Sequence, residues 1–257
     1  MRLIEGGPGT GKTTLLIDLA RRVDPSKRLL IAPDAVTKRE LSRLAPDLNP
    51  ITIEELALRL IRSESDRRLI TPEKELELLR KLLSSQALRL KSSVEGVRGK
   101  IGFAKEVLEL ISLLKMNGLR MEDLLERADN PSCREKVEDL LAISSAYEEL
   151  LGFEGLITRA DLPWRAIRAI SKGETGLEAV FLDKLERLRL GEYELLKALG
   201  CELTATVDPG MDGGTIGERF KEELEPELMR LDLRRRSPSY VSEIAEGIAR
   251  GGEVKLC

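Results

Sequence analysis

The residues Gly6-Gly7-Pro8-Gly9-Thr10-Gly11-Lys12-Thr13-Thr14 could do chemistry on phosphate. They fit the pattern G-x-x-x-x-G-K-[ST], in which glycines let the backbone curl so that successive N–H groups point inward at phosphate oxygens. Lys12 is positioned to reach the β- and γ-phosphates, and the Thr13 hydroxyl to bind Mg²⁺. Such a loop needs a second carboxylate from the end of a neighbouring strand. Asp183, closing the apolar run Ala179-Val180-Phe181-Leu182, is the candidate. Asp208, closing the run from Glu202 to Val207, is a candidate sensor of the γ-phosphate. The implied cofactors are ATP and Mg²⁺.

Elements of α/β type must hold these groups. The spacing predicts strands over Arg2–Glu5, Arg28–Ala32, Ala179–Leu182 and Glu202–Val207. Helices are expected over Lys12–Arg22, Val36–Leu44 and Gly191–Leu199, then an acidic one over Glu218–Leu228 and a last one over Tyr240–Arg250. Strand, loop, helix and strand with a short return opens a parallel sheet. Between the two halves of that pattern Leu, Ile or Val recur every three or four residues over 73–83, 103–115, 121–127 and 134–151. The fold class expected is therefore α/β, a P-loop NTPase with a parallel sheet and a large all-helical insertion.

At 257 residues the chain can bury a sizeable core, and 42% hydrophobic with 34% charged residues describes a globular protein. A formal charge of -3 argues against a uniformly basic nucleic-acid binder and leaves room for a local basic groove. Cys133, Cys201 and Cys257 lie far apart, with no histidine in the chain, which argues against zinc. No apolar run reaches the ~20 residues of a membrane span. No membrane contact and a cytoplasmic location are expected.

In this order and spacing the motifs resemble the UvrD/Rep/PcrA-type superfamily 1 DNA helicases and their AddB-like relatives. The phosphate loop resembles the first helicase motif. Thr52 to Ile61, TIEELALRLI, is similar to the T-F-H-S-F-A-x-R-I-L segment. Ala146-Tyr147-Glu148-Glu149-Leu150-Leu151 with Asp161-Leu162 resembles the stretch that returns from the helical insertion. FLDKLER, 181–187, occupies the place of V-D-E-x-Q-D, and Val207-Asp208-Pro209 that of G-D-P. Arg236-Ser237-Pro238 resembles the Y-R-S motif that opens the second motor domain.

The resemblance implies a RecA-like ATP-binding domain over 1–65 and 152–233, a helical insertion over 66–151, and the start of a second RecA-like domain over 234–257. It puts Arg236 across the ATP cleft, facing the γ-phosphate. It also makes a DNA-repair or recombination protein the expected role, with DNA as one partner. A second partner would be a chain supplying the missing motor domain or a nuclease.

Departures from the family matter as much. Lys184 stands where the family's Glu polarises the attacking water, and Glu186 replaces the Gln two residues on. ATP binding is thus expected with impaired hydrolysis, Glu186 being the one catalytic candidate. Alternatives are an active DNA-dependent ATPase fragment of a helicase, a small P-loop kinase with a helical lid, and a subunit whose loop only stabilises its fold.

For DNA contact the candidates fall in two places. From Arg80 to Lys105 there are seven basic residues against one acid, and Arg89, Lys91, Arg98 and Lys100 are the DNA-contact candidates among them. Lys38 and Arg39 lie at a second strand-to-helix turn that would meet a DNA backbone. Trp164 is read as a packing anchor rather than a platform for bases.

Overall fold

The computed structural model describes residues 1–61, 67–85, 88, 90, 96–170, 175–208 and 216–231. Two compact units result: Met1–Arg59 with the described residues from Ile170 onward, and Leu60–Ala169. The candidate motifs of the second helicase domain, including Arg236, lie outside the described residues.

The first unit opens with β1 (Arg2–Gly6), α1 (Lys12–Arg21), β2 (Arg28–Ala32), α2 (Ala35–Leu44), β3 (Ile51–Thr52) and α3 (Ile53–Ile61). The second unit contains β4 (Arg68–Leu69), α4 (Pro72–Ser84), α5 (Ile101–Met116), α6 (Met121–Leu125), α7 (Pro131–Phe153), β5 (Leu156–Ile157) and α8 (Leu162–Ile170). The chain then rejoins the first unit through β6 (Ala179–Leu182), α9 (Leu190–Ala198), β7 (Glu202–Val207), α10 (Ile216–Leu224) and β8 (Glu227–Leu231).

Six strands form one sheet in the order β3-β2-β6-β7-β1-β8, and every neighbouring pair is parallel. This is an α/β architecture compatible with a RecA-like fold. Parallel strands buried on both faces read as continuous apolar runs, which is why AVFL of β6 is buried at all four positions. On one face Leu16, Ile17 and Ala20 of α1 and Leu41 of α2 pack with Ile4, Leu30 and Phe181. On α9 and α10, Tyr193 and Phe220 meet with ring centroids 6.4 Å apart.

One element departs from expectation. The acidic helix expected over Glu218–Leu228 ends at Leu224, and Glu227–Leu231 is instead the edge strand β8, pairing Arg2↔Glu227 through Gly6↔Leu231. Glu225 takes a left-handed φ of 40° and Pro226 follows it, so the helix cannot continue.

In the second unit α4, α5, α6 and α7 surround Leu79, Leu83, Ile143 and Tyr147, all fully buried. Tyr147 donates to Glu75 at 3.0 Å. Lys115, at the end of α5, pairs with Asp161 at 3.0 Å and with Glu148. Trp164 donates its indole N–H to the Lys115 carbonyl at 2.6 Å, in keeping with a packing role. β4 and β5 form a small parallel pair, Arg68↔Leu156 and Leu69↔Ile157. Among the described residues, no helix is long and apolar enough to cross a membrane.

Candidate functional site

The phosphate-type loop fills residues 7–11, between the carboxyl end of β1 and the first turn of α1. Gly9 (φ 79°) and Gly11 (φ 93°) take the left-handed conformation that disfavours a side chain. Gly6 is held for a different reason: a Cβ there would sit 2.6 Å from Thr10 Oγ1 and 2.8 Å from the Leu231 carbonyl oxygen. Thr10 closes the loop by donating its hydroxyl to the Gly7 carbonyl at 2.9 Å. Gly11 caps α1 without a side chain, so the positive end of the helix carries no built-in acceptor. Pro8 and Thr14 are exposed at the loop's rim.

Lys12 turns back into this loop. Its ammonium donates to the carbonyls of Gly6 (2.5 Å) and Gly7 (3.0 Å) and pairs with Asp208 Oδ1 at 2.5 Å. Asp208 directly follows β7, the strand beside β1. One strand further across the sheet, Asp183 follows β6 and is almost fully buried. The Thr13 hydroxyl donates to it, at 3.1 Å from Oδ1 and 3.3 Å from Oδ2. Loop, first helical turn and two strand-end carboxylates thus converge at the carboxyl edge of a parallel sheet, where such sheets bind ligands.

A buried threonine that the sequence reading missed organises this corner. Thr206 of β7 donates its hydroxyl to Asp183 Oδ1 at 2.7 Å and accepts from the Lys184 backbone N–H at 2.8 Å. The sequence carries a trace of it, because Thr204 and Thr206 are the polar positions inside the apolar strand LTATV. Both are buried, and a buried hydroxyl requires partners.

Beyond Asp183 the chain turns sharply. Lys184 adopts a left-handed conformation (φ 65°, ψ 64°) and starts a single 3₁₀ turn over Leu185–Arg187. That turn sorts the side chains. Lys184 points to Glu40 of α2 at 3.2 Å, Leu185 is buried, and Arg187 binds Asp34, the N-cap of α2, at 2.7 Å. Glu186 is partly buried in the same turn. Its carboxyl is raised above the ordinary range, first by burial and then by the charges of Asp208 and Asp183, with Lys12 opposing. Its Oε2 is buried and has no hydrogen-bond partner. Asp34, by contrast, is held down at about 2, chiefly by the Thr37 backbone N–H and then by Arg187.

Thr13 and Asp183 offer two hard oxygen donors side by side. That donor set suits Mg²⁺, which keeps water and phosphate oxygens for most of its octahedron. Among the described residues no cluster of three acidic, cysteine or histidine side chains forms a protein-only metal cage.

The basic candidates fare unevenly. Lys38 is committed to Glu55, at 2.5 and 2.7 Å. Arg98 donates to the Ser85 carbonyl at 2.7 Å, closing the end of α4. Arg39 is exposed and reaches the Ala35 carbonyl at 3.4 Å, while Lys100 is an exposed residue preceding α5. Arg89 and Lys91 lie outside the described residues. No family model matches the chain, and no curated protein matches it.

Proposed function

We propose that this chain binds ATP with Mg²⁺ in the loop after β1, and that it is related to the UvrD/Rep-type helicases of DNA repair or recombination. The observation that carries the reading is the meeting of Lys12 with Asp208 and of Thr13 with Asp183 at adjoining strand ends. A chance glycine-rich turn has no need of two converging carboxylates and a lysine folded into its mouth. The sheet order, compatible with a RecA-like fold, supports the same reading.

Turnover in this proposal is slow. The position after Asp183 carries a cation committed to Glu40, and it supplies no carboxylate to the loop. DNA contact and a partner chain that completes a second motor domain, or brings a nuclease, belong to the same proposal. Their support is the local basic excess over 80–105 and the order of the motifs.

Mg·ATP is expected to raise the melting temperature of the wild-type protein and to leave that of Lys12→Ala unchanged. An equal rise in both proteins would sink the proposal.

A further inference from the structure

We infer that the helical unit binds a small organic ammonium, a compound with one ring or a branched chain on a short arm. The site is a cavity of about 270 Å³ among α5, α6 and α7, and it is independent of the nucleotide reading.

The cavity originates on α7. Leu141, Ser144, Ser145 and Glu148 line it at i, i+3, i+4 and i+7, the spacing of one helix face. On the adjoining face Ile143, Tyr147 and Leu151 fill the core. Two serines therefore stand where the packing has room for larger side chains, and the cavity is the space they leave. Ile111 and Leu114 of α5 and Met121 of α6, all buried, give it an apolar floor. Leu119, also in the lining, is 41% exposed, so apolar surface continues to the mouth. An apolar cavity of ~150 Å³ takes benzene, and this larger one has room for a ring with a two-carbon arm.

Charge selects the rest of the ligand. The cations of the lining are already matched. Lys115 lies 3.0 Å from Asp161 and also pairs with Glu148, and Arg120 lies 3.9 Å from Asp123. Glu122, in the same lining, forms no ion pair among the described residues. The lining and its partners thus set four carboxylates against two cations. An anionic ligand enters against that field, whereas an ammonium relieves it. The Ser144 and Ser145 hydroxyls can accept its protons.

The probe is 2-phenylethylamine, and 3-phenylpropionate is its counterpart of opposite charge on the same arm. Trp164 donates to the carbonyl of Lys115, a lining residue, so its fluorescence reports occupancy. Wild type is expected to bind the amine saturably with a Kd of about 0.1–1 mM, the scale for so small a ligand. The acid binds about tenfold more weakly or worse. Ser144→Leu fills the space and weakens the amine about tenfold or more. Ser145→Leu, at a more exposed position of the same face, is the filling variant to use if Ser144→Leu fails to fold. Glu122→Gln weakens the amine about threefold, the scale of an exposed ion pair, and narrows its advantage over the acid.

Three results would each overturn the inference. One is no saturable response to about 10 mM amine in either Trp164 fluorescence or saturation-transfer NMR. Another is the acid binding as tightly as the amine. The third is amine binding unchanged in a folded filling variant.

Discussion

Lys12 and Asp208 close on each other across the mouth of the loop, Nζ to Oδ1, at 2.5 Å. The lysine that the loop offers to phosphate is already satisfied by a carboxylate and two carbonyls of its own chain. On the proposed reading nucleotide has to compete with that arrangement, and the competition has a measurable sign. Replacing Asp208 by Asn removes the charged rival while keeping the shape. Asp208→Asn is expected to bind Mg·ADP about fivefold more tightly, since about 1 kcal/mol of ion pairing no longer has to be broken. Isothermal titration of both proteins measures it, and weaker binding in the variant would assign Asp208 to the nucleotide rather than to Lys12.

Thr206 carries a second prediction. Thr206→Val keeps the shape of the side chain but strips the hydroxyl from between Asp183 and the Lys184 N–H. The cost of leaving a buried donor unpaired is about 1–3 kcal/mol, so the urea midpoint falls, while Thr206→Ser, which keeps the hydroxyl, falls less. Because Asp183 loses its fixed orientation, Thr206→Val should also need more Mg²⁺ to reach the same nucleotide-induced melting shift.

The N-cap of α2 gives a pH prediction. Asp34 titrates at about 2 in the folded protein against an ordinary 3.8, so it contributes stability above the ordinary value. That contribution disappears as pH falls through the folded value. Asp34→Ala therefore loses about 1 kcal/mol near neutrality, the usual cost of deleting a cap. The gap between the two proteins narrows as pH falls from about 4 to about 2 and closes below that. Urea denaturation across that range checks it, and a gap undiminished at pH 2 would refute the assignment.

Gly118 offers a test in the helical unit. It sits at φ 65° after α5, and a Cβ there would lie 3.2 Å from the ring of Trp164. Gly118→Ala is expected to destabilise the protein by about 1–3 kcal/mol through backbone strain and this close approach. Trp164 is the only tryptophan in the chain, so its fluorescence reports the change directly.

What the sequence made legible follows the range of the interactions involved. The phosphate loop is a contiguous pattern whose conformation is set by its own glycines. The long helices are periodic over their whole length, which is why the stretch expected over 103–115 is found as Ile101–Met116. β8 is not legible in the sequence because its five residues, ELMRL, have no local signature of a strand. They become one by pairing with β1, more than two hundred residues earlier. The 3₁₀ turn over Leu185–Arg187 is equally hidden. It depends on a left-handed turn at a lysine, a residue type that gives no warning of one. The turn is pinned by a threonine from another strand.

The position of β1 between β7 and β8 sets a schedule for the chain as it is made. The strand before the loop is made well ahead of its neighbours, and Arg2 waits for Thr204 on one side and Glu227 on the other. The Leu231 carbonyl that crowds Gly6 arrives later still. β1 thus emerges long before the two strands that complete it. Such distant pairing makes folding slow, and a growing chain carries a phosphate loop without a finished shape until β8 has docked.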